Sequence, residues 1–137
     1  MASDVDSIVN EHQDNVSLLK MGRIIKYDNE IAEVIVDDGI VIDMDMVNEY
    51  HNWIEHNLSN PCMLLINKQN PYTYTFEAQK EIANLEQIKA MAVVVYNRVS
   101  ELTTRDLASF PRDHQWNLQI FDSRHDAMIW LEGQRTL

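Results

Sequence analysis

The sequence predicts an α/β fold in which helices cover a mostly parallel, five-stranded sheet that begins with an N-terminal β-hairpin. Two continuous apolar runs, CMLLIN (62–67) and IKAMAVVVYN (88–97), have the composition of strands that are buried on both faces. Segments with helical spacing of apolar residues alternate with these runs, which gives the order β-β-α-β-α-β-α-β-α. Such alternation is typical of parallel sheets built with right-handed crossovers.

The first two predicted strands form the hairpin. Residues 22–27 and 30–36 are rich in isoleucine and valine. Asp28 and Asn29 lie between them, and both residue types tolerate the positive φ angles of a tight turn.

The segment before the hairpin, residues 1–19, is predicted to be a polar tail or a short helix. Ile8, Val9 and His12 have the spacing of a helical face, but acidic residues surround them. The remaining residues, 20–137, have the length of a single domain.

The first predicted helix begins after Asp43, which has the side chain of a typical N-cap. Its apolar positions recur at three and four residues, as on one buried face of a helix. They are Met46, Val47, Tyr50, Ile54 and Leu58. The proline at position 61 predicts the end of this helix.

Two further helices flank the second apolar run. Thr75 is a candidate N-cap for a helix over residues 76–87, and residues 97–110 repeat apolar side chains at helical spacing. Between them, residues 88–97 give the strongest strand signal in the chain, so we expect them to form the central strand.

The C-terminal part predicts one strand and one helix. WNLQIF (116–121) alternates apolar and polar residues, as a strand does. Ser123 and Asp126 have the spacing of a capping box, and Gly133 is expected to end the last helix.

The charge of the chain is strongly negative and unevenly distributed. The chain carries 22 acidic and 11 basic residues, and residues 1–60 hold 13 of the acidic but 3 of the basic ones. The field of such a surface repels phosphate backbones, so we expect no nucleic-acid partner. The acidic half serves either as a solubility face or as a surface for a basic partner.

The signatures of cofactor and metal chemistry are missing. With only Gly22, Gly39 and Gly133, neither a phosphate-binding loop nor a dinucleotide fingerprint can be written. His51 and His56 are five residues apart, so they lie on different flanks of a helix and not on the single face that zinc-binding pairs use. We therefore expect no cofactor, no metal ion and no enzymatic activity.

The N-terminus and the single cysteine predict a cytoplasmic protein. The first residues are polar and acidic rather than signal-like, and no apolar run reaches the length of a membrane span. Cys62 has no internal partner for a disulfide and is expected to be a reduced core residue.

Three segments match the sequence pattern of a known family. They are Glu77-Ala78 in the second helix, the IKA-x-A-x-VV-x-N strand from Ile88 to Asn97, and the F-x-S-x-x-x-A-x-x-WL segment from Phe121 to Leu131. In these segments the chain resembles the STAS/SpoIIAA-like proteins, which are bacterial anti-sigma-factor antagonists and their relatives. The resemblance implies a SpoIIAA-like fold and a non-enzymatic role in regulation or protein interaction.

In the antagonist branch of this family, a partner kinase phosphorylates a hydroxyl at the start of the helix after the third strand. The corresponding segment here is TYTFEAQ, in which Thr75 is the nearest match and Thr73 the second. The resemblance thus makes both threonines candidate phospho-acceptors. The residues themselves also allow the simpler role of a helix cap.

The fold also resembles CRAL–TRIO-type lipid-transfer modules, which suggests an alternative role as a carrier or sensor of a small nonpolar, lipid-like ligand. Seven methionines provide adaptable apolar surface, either for such a pocket or as filling of the core. The candidate pocket residues are Met44, Met46, Trp53, Met63, Met91 and Trp116.

The leading interpretation is a regulatory or protein-interaction module with an unknown protein partner and an exposed surface around residues 68–78. A homodimer is a further alternative, because an exposed first strand invites pairing with a second copy.

Overall fold

The computed structural model describes residues 15–113 and 115–135. Within these ranges the chain forms a six-stranded sheet, a separate two-stranded sheet and four helices. In chain order the elements are β1 (Val16–Leu19), β2 (Gly22–Lys26), β3 (Ile31–Val36), β4 (Val41–Ile42), α1 (Met44–Asn57), β5 (Cys62–Asn67), β6 (Thr73–Tyr74), α2 (Phe76–Glu81), β7 (Ile88–Val94), α3 (Arg98–Ala108), β8 (Leu118–Phe121) and α4 (Arg124–Gln134).

The main sheet has six strands and not the predicted five. Its order is β1-β2-β3-β5-β7-β8, and the additional strand is β1, which lies in the segment over residues 1–19 that is predicted to be a tail or a short helix. In β1, which pairs antiparallel with β2, Leu18 points into solvent, so the strand lacks the apolar alternation that would have predicted it. The helical spacing of Ile8, Val9 and His12 lies outside the described residues.

The predicted α/β class and the mostly parallel sheet are confirmed. Strands β3, β5, β7 and β8 are parallel, and the hairpin of β2 and β3 is antiparallel. The expectation that the second apolar run forms the central strand was wrong in position. Strand β7 is well buried but lies between β5 and β8, one place from the edge, while β3 and β5 share the centre.

The sheet is covered unequally on its two faces. The connections from β3 to β5, β7 and β8 all advance in the same direction, so right-handed crossovers place α1, α2 and α3 on one face. The buried cluster on that face includes Ile24, Leu64, Ile54 and Leu107. Helix α4 covers the opposite face, where Leu131 packs in a second buried cluster.

Side-chain caps fix where the helices begin. Oδ1 of Asp43 accepts a hydrogen bond from the backbone N–H of Met46 at 3.0 Å. Oγ1 of Thr75 accepts from the N–H of Ala78 at 3.2 Å, and Oγ of Ser123 caps α4 in the same way. These three predicted caps are confirmed, because each satisfies an N–H that has no partner inside its helix.

Helix α2 is shorter than predicted, because the backbone groups of Ala83 form hydrogen bonds to side chains of other elements. It ends at Glu81 and not at residue 87, and Ala83 has a φ of 55°. The N–H of Ala83 donates to Nε2 of His51 at 3.0 Å, and its carbonyl accepts from the indole of Trp116 at 3.1 Å. These bonds to α1 and to the segment before β8 replace the helical ones.

Gly133 and Gly22 have different structural roles. Gly133 lies inside α4, which continues to Gln134, so the expectation that it ends the helix was wrong. Gly22 has a φ of 153°, and a Cβ there would lie 2.2 Å from the carbonyl oxygen of Ile35. Only glycine fits this close approach between β2 and β3.

Candidate functional site

A groove lies beyond the carboxyl end of the parallel strand β5, and the carboxyl ends of strands are where open α/β sheets usually bind ligands. It consists of two adjoining depressions of about 340 and 490 Å³, which share Lys68, Tyr72, Thr73 and Thr103. One wall is the segment of residues 68–75 that leaves β5, and the other wall is α3. We call this feature the edge groove.

The two-stranded sheet holds the first wall in place. β4 and β6 are parallel, and Val41 pairs with Thr73. The N–H of Thr73 donates to the carbonyl of Ile40 at 3.0 Å, and Nδ2 of Asn70 donates to the carbonyl of Val36 at 3.1 Å. These bonds connect the loop after β5 to the last residue of β3 and to the segment that follows it.

Lys68 lies at the floor of the edge groove. It continues β5 by one residue, because its N–H donates to the carbonyl of Val94, and its side chain points to the α3 face. The residue is 8% exposed, and its ammonium lies 5.4 Å from the ring centre of Tyr72. Among the described residues its Nζ has neither a hydrogen bond nor an ion pair. Burial lowers the pKa of Lys68 to about 8.

Three tyrosines line the same small cavity as the Lys68 side chain. The rings of Tyr72 and Tyr74 meet edge to face with centroids 5.7 Å apart, and Tyr50 of α1 lines the cavity beneath them. Burial raises the pKa of Tyr74 to about 12 and that of Tyr72 well above its usual value. Their hydroxyls therefore stay neutral over the physiological pH range and can act as hydrogen-bond donors.

Helix α3 has apolar side chains on both faces. Thr104 and Leu107 are buried against the sheet, and the hydroxyl of Thr104 donates to the carbonyl of Ser100 at 2.7 Å. Val99 and Leu102 lie on the outer side and are 70% and 45% exposed. Val99 also lines the edge groove.

The structure places the two candidate phospho-acceptors differently. Thr75 caps α2, and its hydroxyl oxygen already accepts the N–H of Ala78. Thr73 is exposed in the short strand β6 and lines both depressions of the edge groove.

The six candidate residues of a nonpolar pocket do not come together. Met91 and Trp116 line an apolar cavity of about 50 Å³ between the sheet and its covering helices. Met44, Met46 and Trp53 pack at the partly buried margin of the same side, whereas Met63 lies on the opposite face of the sheet, under α4. A cavity of this size holds a water molecule or two, while ligand sites usually measure roughly 300–1,000 Å³.

A buried carboxylate on the other face of the sheet was not predicted. Glu33 of β3 is 2% exposed and accepts hydrogen bonds from Tyr27, from Nδ2 of Asn67 at 2.9 Å and from Nη2 of Arg124 at 2.7 Å. The hydroxyl of Tyr96 donates to Oδ1 of Asn67 at 2.8 Å. We call these five residues the Glu33 cluster.

Neither Lys68 nor the Glu33 cluster was recognised from the sequence. A signal existed in both cases: Glu33 interrupts an apolar strand, and Lys68 follows CMLLIN on the same face as Leu64 and Ile66. A charged side chain at such positions needs a buried partner or an opening to solvent.

Two absences concern only the parts of the chain that the structure describes. In residues 15–113 and 115–135, no three His, Cys, Asp or Glu side chains are grouped so that they could hold a metal ion. No helix in the same ranges has the length and apolarity needed to cross a membrane.

Comparisons with protein-family models, with curated proteins and with solved structures found no match. The resemblance to the STAS/SpoIIAA-like proteins therefore depends on the three sequence segments given above, and it stays a prediction.

Proposed function

We propose that the protein is a non-enzymatic regulatory module of the STAS/SpoIIAA-like kind, and that a protein partner binds to the outer face of α3 and the rim of the edge groove. The observation that carries this proposal is the exposure of Val99 and Leu102, three residues apart on a helix whose inner face is already packed.

The surroundings of these two residues support a contact surface. Val41 of β4 is also exposed, and its strand partner Thr73 lines the edge groove together with Val99. Large apolar side chains that share one surface commonly mark protein-interaction sites. Helix α3 itself carries two arginines and two acidic residues, so we expect the contact to depend on apolar burial rather than on net charge.

The partner surface can be tested by placing charge on it. We expect the double variant Val99→Asp, Leu102→Asp to lose a partner that wild-type protein retains during affinity purification from its native cells, because two carboxylates would have to be desolvated at the contact. Quantitative mass spectrometry of the retained proteins provides the measurement.

Ile129 provides the matched control. It is 58% exposed on α4, on the opposite side of the sheet, so Ile129→Asp adds charge to an equally apolar but distant position. The partner should be retained by this variant. Equal retention by the wild-type protein and the α3 variant would show that the outer face of α3 is not the contact surface.

The two threonines predict different effects on stability. Thr75→Ala removes the cap of α2 and should lower the free energy of unfolding by about 1 kcal/mol. Thr73→Ala removes an exposed hydroxyl and should change it by less than about 0.5 kcal/mol. Urea unfolding of the two variants measures both values.

The same residues bear on the phosphorylation switch. Phosphate on Thr73 would enter the rim of the edge groove beside the proposed contact surface, where its charge changes what can bind. Phosphopeptide mapping of the protein from its native cells should find the modification at Thr73 rather than Thr75. If both threonines are unmodified under every growth condition, the switch must be dropped from the proposal, but the partner surface is unaffected.

A further inference from the structure

Lys68 is a buried cation without a counter-charge. Its side chain lines both depressions of the edge groove, and no carboxylate of the described residues lies within ion-pair distance of its Nζ. Such an arrangement is unusual, because a buried charge normally has a hydrogen-bonded partner. It is more unusual in a chain with twice as many acidic as basic residues. The open side of the groove is therefore where a counter-ion can approach.

The larger depression has the size and lining of a ligand site. Its volume of about 490 Å³ lies within the range typical of small-molecule sites. Tyr72, Tyr74, Leu107 and Phe110 form much of its wall, so its body is apolar and aromatic. The hydroxyl-bearing residue Thr103 lies at the junction of the two depressions. A ligand that fits combines an apolar body with one anionic end.

The charged residues that line the groove favour a ligand with a single negative charge. Among the described residues that line the groove, Lys68 is the one basic residue, and Asp106 of α3 lines the same depression. Arg112 lines neither depression, and its guanidinium donates to the carbonyls of Leu107 and Gln79, so it does not contact a ligand in the groove. One ammonium compensates a carboxylate, whereas a phosphate dianion would keep uncompensated charge beside Asp106.

We propose that the edge groove binds a small carboxylic acid with an apolar or aromatic body, and that the carboxylate of this ligand pairs with Nζ of Lys68. The ligand's body lies against Tyr72, Tyr74 and Phe110. This inference goes beyond the proposed partner surface, because it requires no protein partner.

The proposal predicts that binding depends on the protonation of Lys68. The other titratable groups that line the cavity or groove around it are Tyr50, Tyr72, Tyr74 and Asp106. The pKa values of the three tyrosines are raised, so these side chains remain neutral at pH 9. Affinity should then fall about tenfold between pH 7 and pH 9, as Lys68 loses its proton.

The test is a titration of the purified full-length chain, followed by two-dimensional amide NMR. The probes are hydrocinnamate, octanoate and indoleacetate, with hydrocinnamide as the uncharged analogue and phenyl phosphate as the dianion. We expect at least one of the three acids to give saturable shifts at Lys68, Tyr72 and Thr103. The amide should bind at least about tenfold more weakly, since it lacks the charge-assisted contact.

Two variants distinguish binding to Lys68 in the groove from a general effect of the protein's charge. Lys68→Met keeps the length of the side chain and removes its charge, so it should weaken binding about tenfold or more. Lys80→Met removes the same charge from an exposed lysine of α2 and should leave affinity unchanged. Chemical shifts of the unliganded variants confirm that both are folded.

Several results would overturn the inference. They are the absence of saturable shifts with all three acids, equal binding of the amide, unchanged binding by Lys68→Met, or tighter binding of phenyl phosphate. Because the titration uses the purified chain alone, its failure is distinguishable from a failure of partner capture by the α3 variants.

Discussion

Replacing Arg124 with methionine is expected to lower the free energy of unfolding by about 3 kcal/mol at pH 7. The carboxylate of Glu33 is buried in β3 and accepts hydrogen bonds from Arg124, Tyr27 and Asn67. Of these three donors, Arg124 alone carries a positive charge. Without it, the folded state holds a buried carboxylate with neutral donors, and such a charge is strongly destabilising. Urea unfolding of wild type and variant gives the difference.

The pH dependence of this difference identifies its cause. Burial raises the pKa of Glu33, but the hydrogen bonds from Arg124, Tyr27 and Asn67 together outweigh burial and hold the pKa below its usual value. In the wild-type protein this carboxylate therefore stabilises the fold above its unfolded pKa of about 4.3, and the contribution is lost as the pH falls through the lower folded pKa.

In the Arg124→Met variant the balance reverses, because burial then prevails and raises the pKa of Glu33. Protonation of Glu33 in mild acid removes the buried negative charge from the variant. The difference in unfolding free energy between the wild-type protein and the variant should therefore become smaller between pH 7 and pH 4. A difference that does not change with pH would mean that lost packing of the arginine stem, and not charge, is responsible.

The exposed pair of Arg105 and Glu101 on α3 is the matched control. Their side chains lie 3.1 Å apart in an i, i+4 arrangement on the surface. Arg105→Met should therefore cost less than about 0.5 kcal/mol. The double variant Glu33→Met, Arg124→Met should recover much of the lost stability, because it removes the buried charge as well as its partner. Equal losses for Arg124→Met and Arg105→Met would contradict the prediction.

The sequence predicts the elements of this fold better than the way their side chains meet. CMLLIN forms β5 with the predicted bounds, and Asp43, Thr75 and Ser123 cap their helices as expected. Both kinds of feature are local, since a strand composition or a cap lies within a few neighbouring residues. The hairpin around Asp28 is confirmed, but the expectation of positive φ angles at Asp28 and Asn29 was wrong, because the turn is closed by hydrogen bonds from the N–H groups of Glu30 and Ile31 to Oδ1 of Asp28.

The sites depend on register and on distant partners, which a local pattern does not contain. Met63 and Met91 were assigned to one pocket, but Leu64 is the residue opposite Met91, so Met63 faces the other side of the sheet. A shift of one residue changes the face of every side chain in a strand. Similarly, Glu33 and Arg124 are 91 positions apart. Strand β1 was missed because none of its four residues is fully buried.

At neutral pH the wild-type protein should be less stable than the Lys68→Met variant. Burial lowers the pKa of Lys68 to about 8 from an ordinary value of 10.5. At pH 7 the lysine is charged in the folded and the unfolded chain, so the folded chain bears the desolvation of an unpaired ammonium. Because each pKa unit corresponds to about 1.4 kcal/mol, Lys68→Met should raise the free energy of unfolding by an amount on the order of 3 kcal/mol.

This gain should disappear as the pH rises. Between pH 8 and about pH 10.5 the folded lysine has lost its proton while the unfolded lysine retains it, so the unfolded state binds more protons and wild-type stability increases with pH. Methionine does not titrate, and the two stabilities should converge over that interval. The tyrosines around the lysine have raised pKa values and act in the opposite direction above pH 10, but they do so equally in both proteins.

The measurement is urea unfolding of both proteins from pH 7 to pH 10, with Lys80→Met as the control for loss of one exposed positive charge. If Lys68→Met is less stable than the wild-type protein at pH 7, another group of the folded chain pairs with the ammonium of Lys68. In that case the edge groove is not an open anion site. A gain that shrinks with pH means that the chain keeps a destabilising lysine. Such a residue is explained by a function that requires its charge, since stability alone would favour methionine.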